Sequence, residues 1–335
     1  MSFFTDQVKS REAEEEGKVP RDRWDRPLIL LPDGSGKSAP YARASSFGGI
    51  IEDKTNLEKW GKRQMIRGVA IDPSIIDRVP QGPARERGGE ISRTDKKILD
   101  RLVDQADAAV GSSDKAELGT AIHLGTELVD LGADLASLSP LVRERATAYW
   151  RFCQEYGLKM TSVETFGVED THRVAGTWDR TGTVAWDRGT QRILDVKTSS
   201  TMAFAGIGFA VQLAEYAHMF AYDPTTGART PHETMHMGEA YIIHVSREQG
   251  GPVELFRVDI EMGWRHAGLV AAVKAARAEG RRAIDEVDAL AVQIEMAQSR
   301  AELHELWAQT GASWTGQHKA LATLVAGRFG GAERP

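Results

Sequence analysis

The stretch Arg192-Ile193-Leu194-Asp195-Val196-Lys197-Thr198 decides how this chain is read. Its apolar, partly β-branched run predicts a buried strand. Side chains two apart on a strand share a face, so Asp195 and Lys197 project together while Val196 packs behind them. Just upstream, residues 161–169 and 173–186 also read as strands, with Asp187-Arg188-Gly189 as the turn into 191–198. Asp179 lies on the middle strand, in Gly176-Thr177-Trp178-Asp179. Two carboxylates close together on a sheet suit a hard divalent cation such as magnesium or manganese. A lysine beside them can hold an attacking water or offset charge on a phosphate.

Helical patterns flank these strands. The pattern over 115–131 contains Gly119, Thr120 and His123, and Glu127 follows one turn later on the same face. Ser139-Pro140 opens the next helix, with proline at its first position, and it runs to Tyr156. Residues 206–222 read as a helix with Gln212 and Tyr216 on one face. Strands near 238–246 and 253–260 and a helix over 261–280 follow. Singly, each feature has a plainer reading: a surface ion pair, a structural histidine, an ordinary helix surface. Their joint order is what carries weight.

Residues 1–40 hold many charges and prolines and read as a mostly irregular arm with at most a short helix. A helical pattern over 45–70, interrupted near 53–55, carries Phe47, Leu57, Trp60 and Met65. A Pro/Gly-rich loop over 80–91 precedes a helix capped by Ser92. Beyond 282, Ile284, Val287, Leu290 and Ile294 mark one helix. Ser299 with Glu302 forms a capping box for a second, and Ser313 starts a third. The expected organisation is an arm (1–40), a main domain (41–282) and a small helical appendage (283–330).

Composition narrows the chemistry. A lone cysteine, Cys153, excludes an internal disulfide, a multi-cysteine zinc site and a cluster on four thiolates. The net charge of −6 excludes a uniformly basic coat, though not a local basic channel. No apolar run is long enough to span a bilayer, and residues 1–18 lack the apolar stretch of a secretion signal, so a cytoplasmic protein with no membrane partner is expected.

Two shorter motifs compete for attention. Gly34-Ser35-Gly36-Lys37-Ser38 looks like the end of a phosphate-binding loop, but Leu31 stands where its first glycine belongs and Pro40 follows almost at once. His232-Glu233-Thr234-Met235-His236 reads HExxH. On a helix, that spacing sets both imidazoles on one face for zinc, with Glu233 as general base. A helix across 231–245 would support a zinc peptidase; a loop running into a strand would exclude it.

The order Gly119…His123, Gly176…Asp179, Asp195…Lys197, Gln212…Tyr216 resembles the PD-(D/E)XK nuclease superfamily, in its RecB-like and Cas4-like branch. The likeness covers about residues 115–260. The segments Arg43–Phe47 and Asn56–Trp60 are also similar to the N-terminal part of exonucleases encoded by actinobacterial phages. The resemblance implies an α/β, restriction-endonuclease-like core, a mixed central sheet flanked by helices, with N-terminal helices and a C-terminal helical appendage. It implies a metal-dependent deoxyribonuclease, an exonuclease of phage-type recombination or replication, working in the host cytoplasm. A nuclease-fold protein that binds DNA or a partner without catalysis is the other alternative. By the resemblance, His123, Asp179, Asp195 and the backbone carbonyl of Val196 hold Mg2+ or Mn2+. Lys197 orients the attacking water, and Gln212 and Tyr216 contact the scissile region or the DNA backbone. Glu164 matches an acidic position of some members, and Glu127 is a secondary candidate. The cysteine count sets the chain apart from relatives that carry an iron–sulfur cluster, so no such cluster is expected. Candidate DNA contacts are Lys59, Lys62, Arg63 and Arg67 on one helix, then Lys96 and Lys97. The appendage leaves three roles open: docking on the core, self-association into a homo-oligomer, or binding a recombination or single-strand-binding protein.

Overall fold

The computed structural model describes residues 19–187, 189–202, 206–280 and 287–329. Residues 19–40, expected to be irregular, contain a hairpin of β1 (Leu28–Leu30) and β2 (Ser38–Pro40). The reason is packing: Ile29 is fully buried among Val19, Tyr41, Val168, Ala175 and Tyr222. The rest of the expected arm, residues 1–18, lies outside the described residues. Polar contacts pin the hairpin down. Arg229 reaches the Leu30 carbonyl at 2.8 Å while pairing with Asp170, and Tyr222 Oη accepts from the Leu30 N–H at 3.1 Å. The Gly34–Ser38 motif is the exposed hairpin turn, with Gly34 and Gly36 at φ 71° and 68°, and a strand rather than a helix follows it. Glycine reaches this left-handed region without steric cost.

Next come β3 (Ala42–Arg43), α1 (Ala44–Gly48), α2 (Thr55–Ile71) and α3 (Arg93–Ala109). Ser92 caps α3 as expected, its side chain accepting from the Asp95 N–H. Helices α2 and α3 meet at Gly68, where a Cβ would fall on the Ala106 carbonyl. Then follow α4 (Ser112–Asp130), α5 (Pro140–Tyr156), β4 (Lys159–Glu169), β5 (Val174–Thr183) and β6 (Arg192–Lys197). Arg188, in the expected β5–β6 turn, lies outside the described residues. Helix α6 (Ile207–His218) ends earlier than expected. Residues 220–222 instead form β7 (Phe220–Tyr222), because Phe220 and Ala221 pair with β4. The core closes with β8 (Arg229–Thr230), β9 (Glu239–Val245), β10 (Val253–Asp259) and α7 (Ile260–Glu279).

Apart from the β1–β2 hairpin, the strands form one mixed sheet in the order β10-β9-β6-β5-β4-β7-β8, with β3 parallel to the start of β5. Strands β4, β5 and β6 run antiparallel to their neighbours in that set, whereas β6 and β9 are parallel, joined through α6. Alternation along β6 and β9 explains the two packed faces. Ile193, Ala240 and Ile242 join α1, α6 and α7 in one core; Leu194, Val196, Tyr241, Ile243 and Val245 join α4 and α5 in the other. Each fully buried aliphatic side chain of this kind contributes roughly 1.5–3 kcal/mol. Val196 thus packs behind Asp195 and Lys197, as the alternation predicts.

The chain divides into two compact units, the first ending at Lys274 and the second starting at Ala275, eight residues before the expected 283. In the second unit, Ile294, Leu303 and Val325 form the core of α8 (Ala289–Met296), α9 (Arg300–Thr310) and α10 (Gly316–Arg328). Ile284 lies outside the described residues. Ser299 caps α9 by accepting from the Glu302 N–H, but the Glu302 side chain accepts from the Gln298 N–H instead of that of Ser299, so the expected capping box is only half formed. The third helix starts at Gly316 rather than Ser313, because Thr315 and His318 form the capping box while 311–313 make a separate 3-10 turn. No helix among the described residues is long and apolar enough to cross a membrane.

Candidate metal centre

Sheet register assembles the acidic residues. Val163 pairs with Arg180 and Thr165 with Trp178, so Glu164 falls opposite Asp179. Arg180 pairs with Leu194, and Asp179 and Asp195 each lie one residue beyond that pair. Three neighbouring strands therefore carry one acid each at the same level. Glu164 has φ 48°, in the left-handed region, a costly conformation for a non-glycine residue that clusters at functional sites.

Helix α4 supplies the histidine. Its ring bridges two carboxylates, with Nδ1 3.0 Å from Glu127 Oε1 and Nε2 3.0 Å from Asp179 Oδ2. Asp179 Oδ2 also accepts the Val196 N–H at 2.8 Å, which locks it against β6. The motif glycines have steric reasons. A Cβ on Gly119 would stand 3.0 Å from Thr198 Oγ1, which donates to the Gly119 carbonyl at 3.0 Å. A Cβ on Gly176 would stand 3.2 Å from the Tyr216 ring. Both glycines let a helix approach the sheet closely at the level of the acidic residues.

Asp195 is buried, with the Lys197 ammonium 2.6 Å from Oδ2. Asp195 Oδ1 has no hydrogen-bond partner among the described residues. Leaving a buried carboxylate unsolvated is costly. A carboxylate so placed, level with Asp179 and Glu164, could contribute to a cation site. The Val196 carbonyl belongs to the same strand segment. Glu127 and Glu164 both lie close enough to His123 to share an ion with it. On α6, Gln212 Nε2 donates to Tyr216 Oη at 3.2 Å. A cavity of about 140 Å³ opens beside Tyr216, lined also by Arg43, Ser45, Gly176 and Thr177.

Protonation reflects this crowding. Burial works to lower the His123 imidazole, but the Asp179 charge and the hydrogen bonds to Asp179 and Glu127 outweigh it and push it up to about 10. Burial works to raise Asp179, yet the charges of His123, Lys197 and Arg180 hold it well below the usual carboxylate range. Burial and the Asp179 charge push Asp195 up to about 6 and Glu164 up to about 8. Burial opposes the Lys197 charge, and Asp195 and Asp179 overcome it and raise the ammonium.

Sequence reasoning missed Arg180. It is fully buried and bonds Asp130 Oδ2 at 2.8 Å, Thr126 Oγ1 at 3.1 Å and Glu164 Oε1 at 3.3 Å. It ties α4 to β4 and β5 directly behind Asp179. The available signal was an arginine inside an otherwise buried strand, a charge that must find partners.

The other candidates lie apart. Lys59, Lys62, Arg63 and Arg67 on α2 and Lys96 and Lys97 on α3 are exposed. None shares a hydrogen bond or ion pair with the acidic cluster among the described residues. Residues 231–238 are a loop leading into β9, so the HExxH expectation fails. His232 packs against Trp178 and faces the Tyr216 carbonyl at 3.3 Å, whereas His236 Nδ1 accepts from the N–H groups of Gly238 and Glu239. Without a helix the spacing no longer sets the two imidazoles on one face, so the structural premise of the zinc-peptidase reading is missing. No family model and no curated protein matches the chain.

Proposed function

We propose that this protein is a divalent-metal-dependent deoxyribonuclease with a PD-(D/E)XK-type core. The observation that carries the reading is Asp195: a buried carboxylate whose Oδ1 has no partner among the described residues and whose Oδ2 pairs with the Lys197 ammonium, level with Asp179. The element order supports it too: α4 and α5, three antiparallel strands, α6, the short strands β7 and β8, then β9 parallel to β6.

His123, Asp179, Asp195 and the Val196 carbonyl would hold Mg2+ or Mn2+, with Glu164 and Glu127 beside them. The ion supplies positive charge against a phosphodiester. Lys197 donates hydrogen bonds to the attacking water and offsets charge on the phosphate. Asp195 anchors that ammonium at 2.6 Å and keeps it protonated. Tyr216 stays a neutral hydrogen-bond donor, since burial and the charges of Asp179 and Asp195 push its phenol above its usual range. Gln212 holds its oxygen in place. DNA is the proposed substrate, with α2 and α3 as basic tracks for its backbone.

The test uses end-labelled linear and covalently closed circular DNA with Mg2+ or Mn2+. An exonuclease degrades only the linear form. Cleavage of neither, with binding retained, would replace this reading with a DNA-binding one.

A further inference from the structure

Away from the acidic centre, Glu169, His172 and Glu215 form a second buried cluster. Glu169 ends β4, His172 sits in the turn to β5 and Glu215 lies on α6. His172 Nδ1 is 2.8 Å from Glu215 Oε1 and 3.8 Å from Glu169 Oε2. One ligand atom from each residue falls within 4.8 Å of the others. The Glu169 carboxylate is fixed in place by the N–H groups of Thr171 and His172, at 2.8 and 2.6 Å.

Glu215 is the informative member. Its side chain is 0% exposed, and Oε2 is buried with no hydrogen-bond partner among the described residues. Leaving a buried acceptor unsatisfied costs about 1–3 kcal/mol, and more for a charged group. Two carboxylates face one imidazole. Lys274 is the nearby cation, yet its ammonium sits 5.8 Å from the centre of the Phe47 ring and forms no ion pair with Glu215. The walls are aromatic: Phe47 stacks on His172 at 5.8 Å, and Trp264 leans on it at 4.7 Å while stacking on His218 at 3.6 Å.

We propose that Glu169, His172 and Glu215 bind one divalent cation of borderline hardness, Zn2+ or Mn2+, in a structural site that ties α6 to the β4–β5 turn. One imidazole with two carboxylates is softer than the all-oxygen shells of Mg2+ or Ca2+ and suits these ions. The open Oε2 supplies a ligand without breaking an existing bond. Glu169 is held by backbone donors, as ligating carboxylates commonly are. The site lies apart from the candidate catalytic residues but shares α6 with Gln212 and Tyr216, so its occupancy bears on how firmly that helix is held.

The probe is Zn2+ alone, in equilibrium dialysis followed by metal quantification, with no DNA present. The background is His123→Asn with Asp195→Asn, which disables the first centre. This protein should retain one equivalent of Zn2+, and adding Glu215→Gln should weaken that binding at least tenfold. Zn2+ should also raise the melting temperature of the background protein and leave the Glu215→Gln protein unmoved. Because Glu215→Gln preserves shape, circular dichroism should report an unchanged fold; His172→Gln is the second variant, expected to lose the ion likewise. Absence of Zn2+ from the background protein, or retention after both substitutions, would overturn the proposal and leave an ordinary buried ion pair. Neither result depends on whether the protein cleaves DNA.

Discussion

Two histidines in this molecule each sit between two carboxylates, and their surroundings give them different work. His123 bridges Glu127 and Asp179, with its own side chain 25% exposed and Lys197 27% exposed at the same site. His172 faces Glu169 and Glu215, is 12% exposed, and is walled by Phe47 and Trp264. The donor types are nearly the same. Surroundings separate them: one cluster lies beside a partly exposed lysine, and the other is flanked by aromatic rings.

The largest effect that could break this contrast is at Asp195. Asp195→Asn should cut DNA cleavage by at least about 1,000-fold, the scale on which loss of one transition-state charge contact is felt. Full activity in that variant, measured on linear DNA with Mg2+, would move the reactive centre elsewhere. Lys197→Met should follow with a loss of about 100-fold, typical of removing one group that positions or protonates a reactant. Its melting temperature should also fall, since the substitution leaves the buried Asp195 carboxylate without its cation.

A pH scan sharpens the comparison next. His123 is raised in the folded protein to about 10 from its ordinary 6.5, so folding favours its protonated form. That stabilisation is fully present below about 6.5 and is lost as pH rises through about 10. In EDTA, the melting temperature should therefore fall between pH 7 and 10, and His123→Asn should flatten the fall. Asp195, raised to about 6, has the same sign in a lower window: its ionisation weakens the fold between about 3.8 and 6. Asp195→Asn should remove that component. The smallest effect is on the basic helices. Lys59→Gln with Lys62→Gln should weaken DNA binding across sequences and lower the slope of log affinity against log salt by about one to two.

Much of the candidate site was legible because its residues sit at fixed spacings on regular elements. Asp195 and Lys197 share a strand face by period two, and Gln212 and Tyr216 share a helix face by i, i+4. The glycines at 119 and 176 marked positions where a side chain would collide with Thr198 or Tyr216. Other features depended on partners distant in sequence. Arg180 carried no spacing signal that pointed to Asp130 and Thr126. Residues 19–40 read as irregular because Ile29 alone shows the core side of that hairpin, and its neighbours Val168 and Tyr222 come from far along the chain. The HExxH segment failed for the converse reason. Five adjacent residues matched a motif, but a helix is what gives that spacing its meaning, and the chain there is a loop into β9.

By itself, the sequence determined the alternation of strands and helices, the acid-and-lysine face of β6 and the exclusion of a thiolate cluster, because periodicity and composition are local properties. Only the tertiary structure decided which carboxylates stand level across β4, β5 and β6, which histidine is the more exposed, and that Glu215 ends with an unpartnered oxygen. Those outcomes come from strand register and helix packing, which bring together side chains that no local pattern links.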